Sequence, residues 1–149
     1  VPCVMASFVS LFIPVKVVKK FGLPIKDFFI WTDDWEYTRR ISRNIPCYVV
    51  NNSIVIHKSN SNIGAHISTD VEERLDRYKY LYRNDVYLYK REGLKGFLYE
   101  CIRLVYHSLK VIKDSQNNKY KRLLLIWKST IQGFSFKPSI EYVSDGENR

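Results

Sequence analysis

Three carboxylates fall within four positions at Asp33-Asp34-Trp35-Glu36, directly after the apolar run Phe28-Phe29-Ile30-Trp31. A carboxylate at the exit of a buried hydrophobic run can take the proton of a hydroxyl as its oxygen attacks an electrophile. Helix starts use the same residues. Asp33 with Glu36 three positions on fits a capping box, in which each side chain satisfies an amide at the helix start. Glu36 also stands four residues before Arg40 and can pair with it on a helix surface. Asp34 falls at the first helical position, favoured by the helix dipole but without a capping duty. The spacing leaves Asp34 open between a functional acid and a plain helix-start carboxylate.

The elements that would present these acids follow from patterning. Val4 to Ile13 reads as a buried strand, and Pro14 suits the first turn of a short helix burying Val17, Val18 and Phe21 before Gly22 ends it. Phe28 to Trp31 reads as a strand and Trp35 to Ser42 as a helix, stopped near Asn44 and Pro46. Cys47 to Val50 and Ser53 to Ile56 are β-rich runs, the second ending in His57. Residues 58–68 are small and polar, a mobile loop holding His66. A helical region follows: Val71, Leu75, Tyr78, Tyr82, Val86 and Tyr89 recur at helical steps. Beyond Gly93 a second helix groups Leu94, Phe97, Leu98, Cys101, Leu104, Val105, Leu109 and Ile112 on one broad face. A third carries Tyr120, Leu123, Leu124, Trp127, Ile131 and Phe134, before a frayed tail after Pro138.

The segment Phe21-Gly22-Leu23-Pro24, Asp27 to Trp31, then Asp33-Asp34-Trp35-Glu36-Tyr37 and Arg39 resembles the second half of the catalytic domain of family 2 inverting glycosyltransferases, the rhamnosyl- and galactofuranosyltransferase-like group. The resemblance continues through His57 and Tyr82-Arg83-Asn84 and covers roughly residues 5 to 91; the acidic motif is its specific part. It implies an α/β fold: residues 1–67 as the C-terminal portion of a GT-A-type domain, and 68–149 as an α-helical extension. It implies Asp34 as general base, Ser7 to Phe12 on the acceptor side, and Asp33 and Glu36 orienting acceptor or donor. Trp31 and Trp35 would stack on a sugar or pack in the core. His57 would be one ligand of a divalent Mn2+ or Mg2+ ion. The implied reaction passes galactofuranose or rhamnose from a nucleotide sugar to a glycan or lipid-linked acceptor, with inversion, in cell-wall polysaccharide synthesis.

The same resemblance exposes a gap. The sequence contains no Asp-x-Asp pair and no glycine-rich strand-turn-helix unit to hold the nucleotide. In the family both lie in a preceding half, so that half is expected in cis or in trans, and this chain alone is expected to be inactive. The start at Val rather than Met agrees with a fragment.

Composition sets the outer bounds. A 149-residue chain that is 46% hydrophobic can bury a core. Its 24 basic against 15 acidic residues give a net charge of +9 and point to an anionic partner. Helices between 90 and 130 hold much of that charge beside aromatic residues, a pattern that suits an anionic membrane surface. A non-enzymatic membrane- or nucleic-acid-binding module is the alternative. Nucleic acid is not expected, since no RNP-like, zinc-finger or helix-turn-helix signature accompanies the charge. Cys3, Cys47 and Cys101 lack metal-ligand spacing and read as reduced thiols. With no leader or spanning segment discerned, the expected location is the cytoplasm, peripheral on the inner face of the cell membrane.

Overall fold

The computed structural model describes residues 1–58 and 65–143. The chain forms two compact units: residues 1–29, 33–60 and 138–149 in the first, and 30–32 with 61–137 in the second. Most of the loop expected over 58–68 lies outside the described residues.

In the first unit, α1 (Val15–Phe21) starts after Pro14, whose fixed φ suits a helix entry. It ends at Gly22, where φ is +78°. Only glycine fits there, since a Cβ would meet the Ile140 side chain at 2.5 Å and the Glu141 carbonyl at 2.8 Å. Ile140 to Tyr142 are therefore packed rather than frayed, and the last six residues of the expected tail lie outside the described residues. The Leu23 amide donates to the Glu141 carbonyl (2.8 Å), and Lys26 pairs with the Glu141 carboxylate. Helix α2 (Asp33–Ser42) buries Tyr37 and Ile41 against Val17, with Ile13, Phe21, Ile45 and Cys47 around them.

The expected α/β architecture is overturned. Among the described residues there is no strand and no sheet, and most of them are helical. The Val4 to Ile13 run holds a 3-10 turn at Phe8–Ser10, and Phe28 to Trp31 follows another at Lys26–Phe28. Between 47 and 56 only a single antiparallel bridge forms, Pro2 with Tyr48, flanked by the Cys3 amide on the Cys47 carbonyl (2.8 Å) and the Val49 amide on Val1 (2.8 Å). The physical reason is the absence of partners. A strand needs neighbours for its amides and a surface for its side chains, whereas Val50, Ile54, Val55 and Ile56 stay exposed.

The second unit is a helical assembly around α3 (Tyr78–Lys90), preceded by a 3-10 stretch, Glu72–Arg77. Gly93, with φ +71°, punctuates the helical run as expected and opens α4 (Gly93–Asp114), and α5 (Lys119–Ser135) follows. The core joins Leu75, Tyr78 and Tyr82 to Leu104 and Val111 of α4, Ile126 of α5, and Ile67. Helix α5 lies close on α3 because Gly133 permits it; a Cβ there would sit 2.7 Å from Val86 Cβ and 2.8 Å from the Arg83 carbonyl. Buried Arg122 secures the entry to the unit, donating to the carbonyls of Ile67, Asp70 (2.9 Å) and Asn117 (3.1 Å).

Candidate functional site around the acidic motif

The backbone just upstream of the acids is held from α3. Asn84, fully buried, donates its side-chain amide to the carbonyls of Ile30 (3.2 Å) and Trp31 (3.0 Å). The Arg83 guanidinium donates to the Asn84 Oδ1 at 3.1 and 3.0 Å and so fixes that amide's orientation. The Thr32 hydroxyl donates to Asp85. The Trp31 ring packs on Tyr78 (centroids 4.8 Å apart) with the Arg77 guanidinium 5.4 Å from its centroid, which makes it a core side chain of this unit. Phe29, Trp31 and Thr32 all have left-handed backbones, φ +63°, +63° and +66°. Such conformations cost about 1–3 kcal/mol each outside glycine and persist only where surrounding contacts impose them.

Beyond Thr32 the chain enters α2, and its three acids have different fates. Glu36, 5% exposed, gives both carboxylate oxygens to Arg40, at 3.0 and 3.1 Å. The i,i+4 pair anticipated from sequence thus forms, and the capping-box role of Glu36 does not. Arg40 goes on to the carbonyls of Phe21 and Leu23 (3.0 Å), tying α2 to the end of α1. Asp33 is partly buried. Desolvation pushes its carboxyl above the ordinary range, the Asp34 charge adds to this, and its own amide and that of Asp34 oppose it. Asp34 is half-buried, and its Oδ1 accepts the Trp35 amide at 2.8 Å. Among the described residues its Oδ2 has no hydrogen-bond or ion-pair partner.

A cleft of about 420 Å³ lies beside α2 within the first unit. Leu11 and Phe12, from the segment expected on the acceptor side, line it together with Ala6, Val17, Thr38 and Ile41. Its walls are mainly apolar, and Asp34 is not among them. The link to Asp34 is Thr38, whose hydroxyl donates to the Asp34 carbonyl (2.7 Å) and accepts the Ala6 amide (3.0 Å). Trp35 projects outward, 44% exposed. His57 is exposed on an extended segment. No group of three His, Cys, Asp or Glu side chains that could hold a metal ion occurs among the described residues.

The structure also assembles a polar cluster in the second unit that the sequence patterning did not indicate. Arg103 lies between Asp85 and Glu100, donating to the Glu100 oxygens at 2.9 and 3.0 Å and pairing with Asp85. Both carboxylates are buried, Asp85 2% and Glu100 4% exposed. Desolvation pushes Asp85 up to about 6, against the opposing pull of Arg103. Next to it, the Tyr82 hydroxyl meets His107 Nδ1 at 2.9 Å, and the His66 ring stands edge-on to His107, centroids 4.9 Å apart. Burial lowers both imidazoles, His107 to about 4, with Arg103 adding to the effect. The available signal was the set of polar residues on otherwise apolar helix faces: Asp85, Glu100, Arg103 and His107. No protein-family model, curated protein or solved structure matches the chain.

Proposed function

We propose that this chain supplies the acceptor-side, base-carrying part of an inverting glycosyltransferase that uses a nucleotide sugar, with the donor-binding groups outside its 149 residues. The observation that carries this reading is the sorting of the acids. Glu36 is consumed by Arg40 and Asp33 is partly buried against its own amides, whereas Asp34 keeps one oxygen without a partner at the start of α2. A sugar hydroxyl is far too weak an acid to ionise near neutrality, so a carboxylate must accept its proton as the oxygen attacks the anomeric carbon. Asp34 does that here, and the amide of Trp35 orients it through Oδ1. The acceptor is a glycan, free or lipid-linked, and the donor sugar is of the galactofuranose or rhamnose kind.

Among the described residues no group of side chains completes a metal site, and the remaining ligands of the expected divalent ion would come with the donor-binding groups. The test is sugar transfer from a panel of nucleotide sugars, with the chain joined to or mixed with a donor-binding polypeptide that restores turnover. Asp34→Asn lowers kcat by about a hundredfold to ten-thousandfold, the span ascribed to a positioned general base, while donor KM changes little. Unchanged turnover in that variant removes the base assignment.

A further inference from the structure

We infer that the outer faces of α4 and α5 form a docking surface for an anionic lipid bilayer, an inference that stands independently of the glycosyl-transfer reading. On α4, Leu94, Leu98, Ile102, Val105, Leu109 and Ile112 repeat at steps of four and three and are 51–73% exposed. They lie opposite the packed face, which holds Gly96, Glu100, Leu104 and Val111. On α5, Tyr120, Leu124, Trp127, Ile131 and Phe134 repeat in the same way and are 45–78% exposed. Phe97 and Cys101, at the edge of the α4 stripe, border one shallow groove with Thr130 and with Phe134 of the α5 stripe, so the two helices meet beside their stripes. The eleven side chains present on the order of 1,000 Å² of apolar surface, where an ordinary monomer exposes a few hundred in its largest patch.

Charge identifies the occupant. Lys95 and Lys113 flank the α4 stripe and Lys128 the α5 stripe, all three exposed. The only carboxylates in α4 are Glu100, buried on Arg103, and Asp114 at its last residue; α5 has none. A second copy would set lysines against lysines, and a purely apolar partner would leave them unanswered. A bilayer bearing anionic headgroups answers both parts, taking the aliphatic stripe at the acyl boundary and the ammonium groups among the phosphates. Tyr106, Tyr120 and Trp127 are the ring types that settle at that depth. No helix among the described residues is long and apolar enough to cross a membrane, so the contact is one of lying on the surface.

Flotation of the full chain with vesicles tests this. At low salt it floats with an equal mixture of phosphatidylcholine and phosphatidylglycerol and stays behind with phosphatidylcholine alone. Each of Lys95→Ala, Lys113→Ala and Lys128→Ala weakens binding about fivefold, since a lysine near such a surface is worth about 1 kcal/mol. Ile102→Asp combined with Ile131→Asp reduces it by more than tenfold at unchanged circular dichroism. A second readout on the unsubstituted fold is a blue shift of tryptophan emission on anionic vesicles, which Trp127→Phe abolishes. Equal binding to both vesicle types, no emission shift, full binding by the double aspartate variant, or a dimer that this variant dissolves would each overturn the assignment.

Discussion

Each unit has a largely buried arginine at its centre of charge, and the two are satisfied in different ways. Arg40 meets one carboxylate, Glu36, and sends its other N–H groups to the carbonyls of Phe21 and Leu23, so charge balances charge and the surplus donors are satisfied. Arg103 meets two carboxylates, Asp85 and Glu100, leaving one surplus negative charge in the core. Desolvation, with the Glu100 charge adding to it, pushes the Asp85 carboxyl up to about 6. A helix can be tied to a neighbouring turn by a neutral pair at little electrostatic risk. A core that stacks two acids on one guanidinium becomes sensitive to pH.

The comparison breaks most sharply if the guanidinium is removed from the overloaded site. Arg103→Met strands two buried acids and is expected to cost about 3–5 kcal/mol in denaturant unfolding. Arg40→Met strands only Glu36, and about 2–3 kcal/mol is expected, because that lone acid can escape by protonation. A loss from Arg40→Met that equals or exceeds the Arg103→Met loss would erase the distinction.

The pH dependence sharpens it further. Asp85 holds its proton more tightly folded, at about 6, than unfolded, so its contribution is complete below about pH 4 and is lost as pH rises through 6. A shift of about 2 units corresponds to about 3 kcal/mol. His107 is the reverse case. Lowered to about 4, it contributes fully above pH 6.5 and loses that contribution as pH falls through 4, by about 1 kcal/mol once the exposure of its half-buried ring is discounted. Between pH 4 and 6.5 the two therefore oppose. Asp85→Asn should make stability rise with pH, and His107→Gln should make it fall more steeply than in the unsubstituted protein. Parallel curves for all three proteins would dismiss the buried-charge account.

The smallest effect belongs to the acid that faces solvent. Asp34→Asn should change unfolding free energy by about 0.5 kcal/mol, the scale of a partly exposed helix-start carboxylate. Glu36→Gln should cost several times more. An Asp34→Asn loss as large as that of Glu36→Gln would make Asp34 a structural acid.

Local signals in the sequence account for the helices. Pro14 and Gly22 bracket α1, and the periodic runs give α4 and α5 to within a few residues, whereas the run that begins at Val71 is α-helical only from Tyr78, with Glu72–Arg77 in a 3-10 stretch. The sheet failed because the β-rich runs at 47–50 and 53–56 show a preference for extended backbone but carry no information about whether a neighbour exists to pair with them. The α4 stripe was read as one broad apolar face, yet periodicity cannot say which face turns inward. Here the inward face carries Gly96 and Glu100, tolerated because the backbone packs closely and Arg103 neutralises the acid. At the acidic motif the pairing of Glu36 with Arg40 was legible from spacing. The grip of Asn84 on Ile30 and Trp31 was not, since it joins residues more than fifty positions apart.

The left-handed backbones at Phe29, Trp31 and Thr32 impose an order of assembly. The bonds that hold the backbone at Trp31 and the side chain of Thr32 come from Asn84 and Asp85, which exist as a platform only after α3 has formed. The bend before the acidic pair is thus a late event on the folding route, closing after the nucleus. Substitutions at Thr32 would hasten unfolding while leaving the refolding limb of a chevron nearly unmoved.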